Sequence, residues 1–220
     1  MNTKEILQHL KMAYLTPYSL VLNIIISIFY IIPYFTIKKD LDTSIPLYLK
    51  VFIFLWILFV ILSLIQERRV LKVKNSKMTA IRYLVITILA AFVIPLATST
   101  IYIFAAELQY HEVFDIWLRL ALSVIISWFG SHLVLGRAFE VTKLFKLKLF
   151  TYIGFIIIII PFIYLAYIGF IVPAGQDESN KFIWVSLLVL FGAHLFIITP
   201  YAYLGEYFKK LKNPTEEGGE

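Results

Sequence analysis

The sequence predicts an all-α, polytopic membrane protein: one bundle of six transmembrane helices. Three observations carry that expectation. The chain of 220 residues is 60% hydrophobic with a mean hydropathy of +0.85, well above a soluble domain of its size. Six apolar stretches are each long enough, at about 1.5 Å per helical residue, to cross a hydrocarbon core of about 30 Å. The charged residues lie mostly between those stretches and sort by side.

Taken in order, residues 1–16 form an amphipathic segment. Asn2 and Glu5 are spaced as a capping pair, Ile6, Leu7, Leu10 and Tyr14 make an apolar face, and Lys4 and Lys11 point toward headgroups. The expectation is a helix lying flat on the inner membrane surface. Pro17 then opens a six-span domain over 17–206, with spans at about 18–37, 45–65, 83–104, 114–135, 149–172 and 182–204. The third is rich in small residues (Ala90, Ala91, Ala97, Thr98, Ser99, Thr100), which suits a helix buried among others. Residues 207–220 read as a polar, fraying tail. The first apolar run has no small-x-small cleavage site, so it reads as a permanent anchor.

Six spans put both termini on one side. Fifteen of the 20 basic residues share that side with seven of the 14 acids, leaving it net +8 against −2 opposite. The positive-inside rule then places both termini in the cytoplasm of a chain integral to the cytoplasmic membrane. The inner basic collar includes Arg68, Arg69, Lys72, Lys74, Arg137 and Lys143. It suits anionic lipid headgroups or an acidic cytosolic protein partner. The charge sorts by membrane side rather than into a nucleic-acid-binding face, so no direct nucleic-acid partner is expected.

The fourth span, FDIWLRLALSVIISWFGSHLVLGRA, is where charge, small residues and a histidine meet. At about 100° per residue, Arg119, Ser123, Ile126, Gly130 and Arg137 fall on one stripe, with Asp115 one turn before Arg119. Ser123, Ser127 and Ser131 repeat every four residues, a spacing that lets a second helix approach. Trp117, Trp128 and His132 lie on the other side. Asp115 and Arg119 pair in the favourable i, i+4 order. The pair is either a substrate or ion contact at an outer mouth or a surface pair snorkelling to the interface.

Ile-Pro steps recur at Pro33, Pro95 and Pro161 in the first, third and fifth spans, and FGSHL at 129–133 recurs as FGAHL at 191–195. Together they point to three tandem two-helix hairpins, with the prolines as hinge candidates. His132 and His194 are candidate proton carriers or polar substrate contacts; the bland alternative is a hydrogen bond to a neighbouring helix. Asn23 reads as interhelical glue.

With no cysteine, disulfides, thiolate chemistry and cysteine-based zinc sites are excluded. The membrane-enzyme signatures, a Gly-x-Ser-Gly serine or a His-Glu-x-x-His helix, are missing from the sequence, so no enzyme, metal or cofactor is expected. Two function classes remain. The first is a small transporter or channel acting as a homo-oligomer, with Asp115, Arg119, Ser123, Ser127, Gly130, His132 and His194 lining its path. The second is a membrane-embedded anchor or sensor subunit that recruits a soluble cytosolic protein within a multi-component export or defence system. The first requires a polar route across the bundle, the second a dry bundle with its chemistry on the inner loops.

Overall fold

The computed structural model describes residues 1–12, 15–37, 45–68, 74–109, 112–141, 147–173 and 179–212, without the side chains of 15–18 and 37. Within them run seven helices: α1 (Thr3–Lys11), α2 (Leu15–Ile37), α3 (Leu47–Gln66), α4 (Lys77–Leu108), α5 (Phe114–Ala138), α6 (Lys148–Ile171) and α7 (Lys181–Lys212). The last six are each long and apolar enough to cross a membrane. No strand occurs among the described residues. The chain is an all-α, six-span membrane protein.

The bundle is built around α4. Ala90, Ala91, Ala97, Thr98, Ser99 and Thr100 are all buried, so the small residues serve the close approach of neighbours expected of them. Their hydroxyls are satisfied within the helix: Thr98 donates to the Ile94 carbonyl at 2.9 Å and Thr100 to that of Leu96 at 2.7 Å. Helix α4 packs against α1, α2, α3, α5 and α7, while α6 lies outside on α5 and α7.

The closest packing joins α5 to α6 and α4 to α7, whereas the sequence neighbours α2 and α3 barely touch. The two tightest pairings therefore cross the hairpin boundaries, while α4 with α5 and α6 with α7 also pack within their hairpins. The repeated pentapeptides also differ in surroundings. A Cβ on Gly130 would stand 2.8 Å from the Gly154 carbonyl oxygen and 2.9 Å from the Ile158 nitrogen, while one on Gly192 would meet nothing within 4 Å. Pro33, Pro95 and Pro161 lie inside α2, α4 and α6, and α7 also contains a proline, Pro200.

The two ends of the chain add detail to the expected elements. Helix α1 turns its apolar face to protein: Ile6, Leu7 and Leu10 are 0% exposed and Lys11 only 3%, because the helix packs on α7 and α4. Its capping box forms as expected, with Asn2 Oδ1 accepting from the Glu5 amide and Glu5 Oε2 from the Asn2 amide, both at 2.9 Å. Helices α4 and α7 outrun the expected third and sixth spans, since the flanking Lys, Arg and Glu residues are good helix formers beyond the apolar core. The expected tail is thus helical to Lys212, and residues 213–220 lie outside the described residues.

Helix α5 ends in a Schellman motif. The Val141 amide donates to the Gly136 carbonyl at 2.9 Å and the Glu140 amide to that of Arg137 at 3.1 Å. Glu140 therefore occupies the left-handed position, at φ 53°, where glycine is the usual occupant. Glu140→Gly should relieve the Cβ clash and stabilise the fold by about 1 kcal/mol. Thermal unfolding in detergent checks this, and an unchanged or lowered Tm contradicts it.

Candidate functional site

The fourth-span candidates do not share one path. Asp115 Oδ2 and Arg119 Nη2 pair at 2.6 Å on the surface, with side chains 71% and 49% exposed. One turn on, Ser123 is buried and donates to the Arg119 carbonyl at 2.8 Å. Ile126, on the same expected stripe, is 45% exposed. Gly130 is closed against Gly154, and Arg137 Nη1 donates to Thr151 Oγ1 at 2.5 Å. The contacts of Gly130 and Arg137 thus bring α6 onto α5 instead of opening between them. The aromatic side also faces protein: Trp117 sits among Tyr48, Phe52 and Phe114.

The two histidines stitch α5 to α7 reciprocally. His194 of α7 bridges two α5 hydroxyls, with Nε2 at 2.7 Å from Ser127 Oγ and Nδ1 at 2.5 Å from Ser131 Oγ. His132 of α5 places Nδ1 2.6 Å from Tyr201 Oη of α7. The rings of Phe92 and Phe162 stand 5.1 and 5.7 Å from the His194 ring. A neutral imidazole has one donor and one acceptor nitrogen, and at His194 the serines engage both. A nucleophile–base pair needs its base oriented by a third group, but the second nitrogen here meets another serine. Among the described residues no three His, Cys, Asp or Glu side chains gather where a metal could sit. Replacing His194 by alanine strands two buried hydroxyls and should cost roughly 1–3 kcal/mol, at about 0.6–1.7 per intramembrane hydrogen bond. Equal melting of wild type and variant contradicts a structural role.

Polar groups elsewhere are likewise spent on holding helices. Trp56 Nε1 donates to Asn23 Oδ1 at 2.5 Å, tying α3 to α2, and Asn23 Nδ2 donates to the Ser19 carbonyl at 2.6 Å. Tyr30 Oη donates to the Ala97 carbonyl at 2.8 Å. At the other end, Tyr48 Oη donates to Glu107 Oε1 at 2.5 Å. Where α2 and α3 part, a cleft of about 430 Å³ opens, lined chiefly by apolar side chains with Asn23, Ser27 and Trp56 on its wall.

The richest network joins the face that holds both termini. Lys11 Nζ donates to the Arg68 carbonyl beyond α3 at 2.6 Å, and burial lowers the pKa of this ammonium below the ordinary lysine value. Gln66 Nε2 reaches Thr87 Oγ1 of α4 at 3.2 Å and the Tyr83 and Lys11 carbonyls at 3.3 and 3.4 Å. Tyr207 Oη donates to Asn75 Oδ1 at 2.8 Å, His9 stacks on Tyr203, and Lys210 donates to the Met1 carbonyl. Of the basic collar, Arg68 and Lys74 are exposed and Arg137 is half-buried, whereas Arg69, Lys72 and Lys143 lie outside the described residues. Sequence reasoning passed over Tyr201, Gln66 and Lys11 as partners. Only the polarity of Gln66 at the end of an apolar run marked any of them.

On the same face α7 and α5 meet without a gap. A Cβ on Gly205 would collide with the Phe139 carbonyl oxygen and stand 3.0 Å from Phe139 Cβ. Beside this contact lies a hollow of about 190 Å³ lined by Lys77, Glu140, Val141, Phe208, Leu211 and Lys212.

Over residues 4–218 the chain matches a family described as a domain of unknown function (DUF5079). No curated protein and no solved structure matches it.

Proposed function

We propose that this chain, which belongs to the DUF5079 family, is a membrane-embedded anchor or sensor subunit that presents its termini-side face to a soluble cytosolic partner. The observation that carries the reading is where the polar chemistry lies. Inside the bundle His132, His194, Tyr30 and Trp56 spend their polar groups on bonds between helices, and on the termini face α1, the end of α3, the start of α4 and the end of α7 are knitted into one surface. Such a surface, fixed by a packed bundle, is pre-organised for binding, which lowers the ordering cost of association. The net charge of +8 on that side, against −2 opposite, supports a cytoplasmic orientation in the cytoplasmic membrane.

Orientation is checked by single cysteines at the exposed positions Glu112 and Lys74. Only the first should react with an impermeant thiol reagent in intact cells; labelling at Lys74 alone reverses the topology. Ser179, in the last outer loop, is buried and serves poorly as a reporter. The partner itself is sought with a photo-crosslinking amino acid at Arg68, Lys74 or Lys148 on the inner face and at Glu112 on the outer. Adducts with soluble protein from the inner positions alone are expected. Adducts from none of the inner positions remove the anchor reading.

The cleft between α2 and α3 favours a second reading, a transporter of apolar cargo. Its roughly 430 Å³ is the size of a small-molecule site, and its walls come chiefly from α2 and α3, with Phe104 of α4. Uptake into proteoliposomes that falls when Ile57→Trp narrows the cleft would favour this alternative.

A further inference from the structure

We infer that the hollow between the start of α4, the end of α5 and the end of α7 is the docking site, and that it takes the apolar anchor of an acidic protein segment. This rests on the anchor reading above and specifies its surface. The apolar part of the lining is half-buried Phe208 and Val141 with exposed Leu211, and the volume of about 190 Å³ suits one large side chain. Lys77 and Lys212 stand on the rim, both exposed, with exposed Lys74 and Lys209 three residues before them. The one acid of the lining is Glu140. An apolar hollow with two lysines on its rim is complementary to an aromatic or large aliphatic residue flanked by Asp and Glu.

The same site is poorly placed for lipid. Lys77 lies thirty residues along α4 from Glu107, about 45 Å at 1.5 Å per residue. A hydrocarbon core spans only about 30 Å, and the headgroup layers bring the total to about 40–45 Å. With Glu107 held by Tyr48 at the opposite end of the bundle, Lys77 reaches the cytosolic edge of the headgroups or passes it. Helix α4 is also the central helix, packed against α1, α2, α3, α5 and α7. The walls are set beforehand: the Schellman turn fixes Glu140 and Val141, and the Gly205–Phe139 contact fixes that turn on α7.

The test uses the full chain in nanodiscs of uncharged phosphatidylcholine. The probe is a fluorescent synthetic peptide carrying one phenylalanine between two pairs of glutamates, titrated by anisotropy. Saturable binding is expected, weakened about tenfold by Leu211→Asp, which sits in the last turn of α7 and leaves the fold alone, and similarly by the double change Lys77→Glu, Lys212→Glu. A peptide with serine for phenylalanine should bind at least about tenfold more weakly, and raised salt should weaken binding. Indifference to both sets of variants, or equal binding of the serine peptide, overturns the inference. So does an effect of the variants on adsorption of phosphatidylglycerol vesicles with none on the peptide, since the hollow would then be a lipid contact. If the inner-face crosslinks form while the peptide ignores the hollow, the anchor reading stands and this surface falls; if no inner position crosslinks, the anchor reading itself falls.

Discussion

Gly130→Leu is expected to destroy the α5–α6 interface and with it most of the folded protein. A bare Cβ at Gly130 already stands 2.8 Å from the Gly154 carbonyl oxygen and 2.9 Å from the Ile158 nitrogen, and one at Gly154 stands 2.9 Å from the Gly130 oxygen. These are main-chain atoms of two helices in direct contact, so no rotamer change relieves the clash. Overpacking a core costs typically 1–3 kcal/mol, and a leucine wedged between two backbones should exceed about 3. Gly192→Leu is the matched control: its pentapeptide differs only in Ala193 for Ser131, yet no atom lies within 4 Å of its added Cβ, so folded yield should hold. Size-exclusion profiles of fluorescent fusions compare the two. Equal yield from both variants would mean that α5 and α6 do not cross at these glycines.

Leu7→Ala should cost about 2–5 kcal/mol, the usual range for emptying a buried leucine site. Leu7 is 0% exposed, as are Ile6 and Leu10 beside it, and α1 lies against α7 and α4. A helix resting on lipid would respond differently, because a smaller apolar side chain there weakens membrane adsorption and leaves the bundle's unfolding untouched. The readout is thermal unfolding in detergent, where no bilayer surface remains for α1 to rest on. A Tm lowered by several degrees relative to Lys4→Ala, whose parent side chain is exposed, supports the packed helix; equal Tm values return α1 to the membrane surface.

These two helices also show what the sequence could and could not reveal. The six spans were legible because a hydrocarbon core imposes one length and one composition on every helix that crosses it. The central position of α4 was legible too, in Ala90, Ala91 and Ala97, since small side chains repay a helix only where neighbours come close. The position of α1 was not. Amphipathicity states that Ile6, Leu7 and Leu10 need cover, but lipid and protein satisfy an apolar face equally well. The helix ends were hidden for a related reason: the Lys, Arg and Glu residues within 77–82 and 206–212 lower the hydropathy yet are good helix formers, so the apolar runs ended where the helices did not.

The candidate site was legible only in part. His132 and His194 stood out as polar residues in apolar runs, but their partners Tyr201 and Ser131 are ordinary in such runs, and nothing local announces a contact 69 or 63 residues away. Helical spacing alone put Arg119 to Arg137 on one stripe. What it faced depended on where α6 packed, which spacing within one helix does not encode. The hollow on the termini face draws on three helix ends, and only the fold brings them together.

The claim at the centre of this account is that α5 lines no conducting path and that the protein acts through its inner face. Flux across proteoliposomes, for wild type beside Asp115→Asn and Arg119→Gln, tests it most directly. Ion and proton flux equal to that of protein-free liposomes is expected for all three, because Asp115 and Arg119 form an exposed surface pair and Gly130 is sealed on Gly154. Wild-type flux whose ion selectivity shifts in opposite directions in the two variants would contradict the account and place a conducting path along α5.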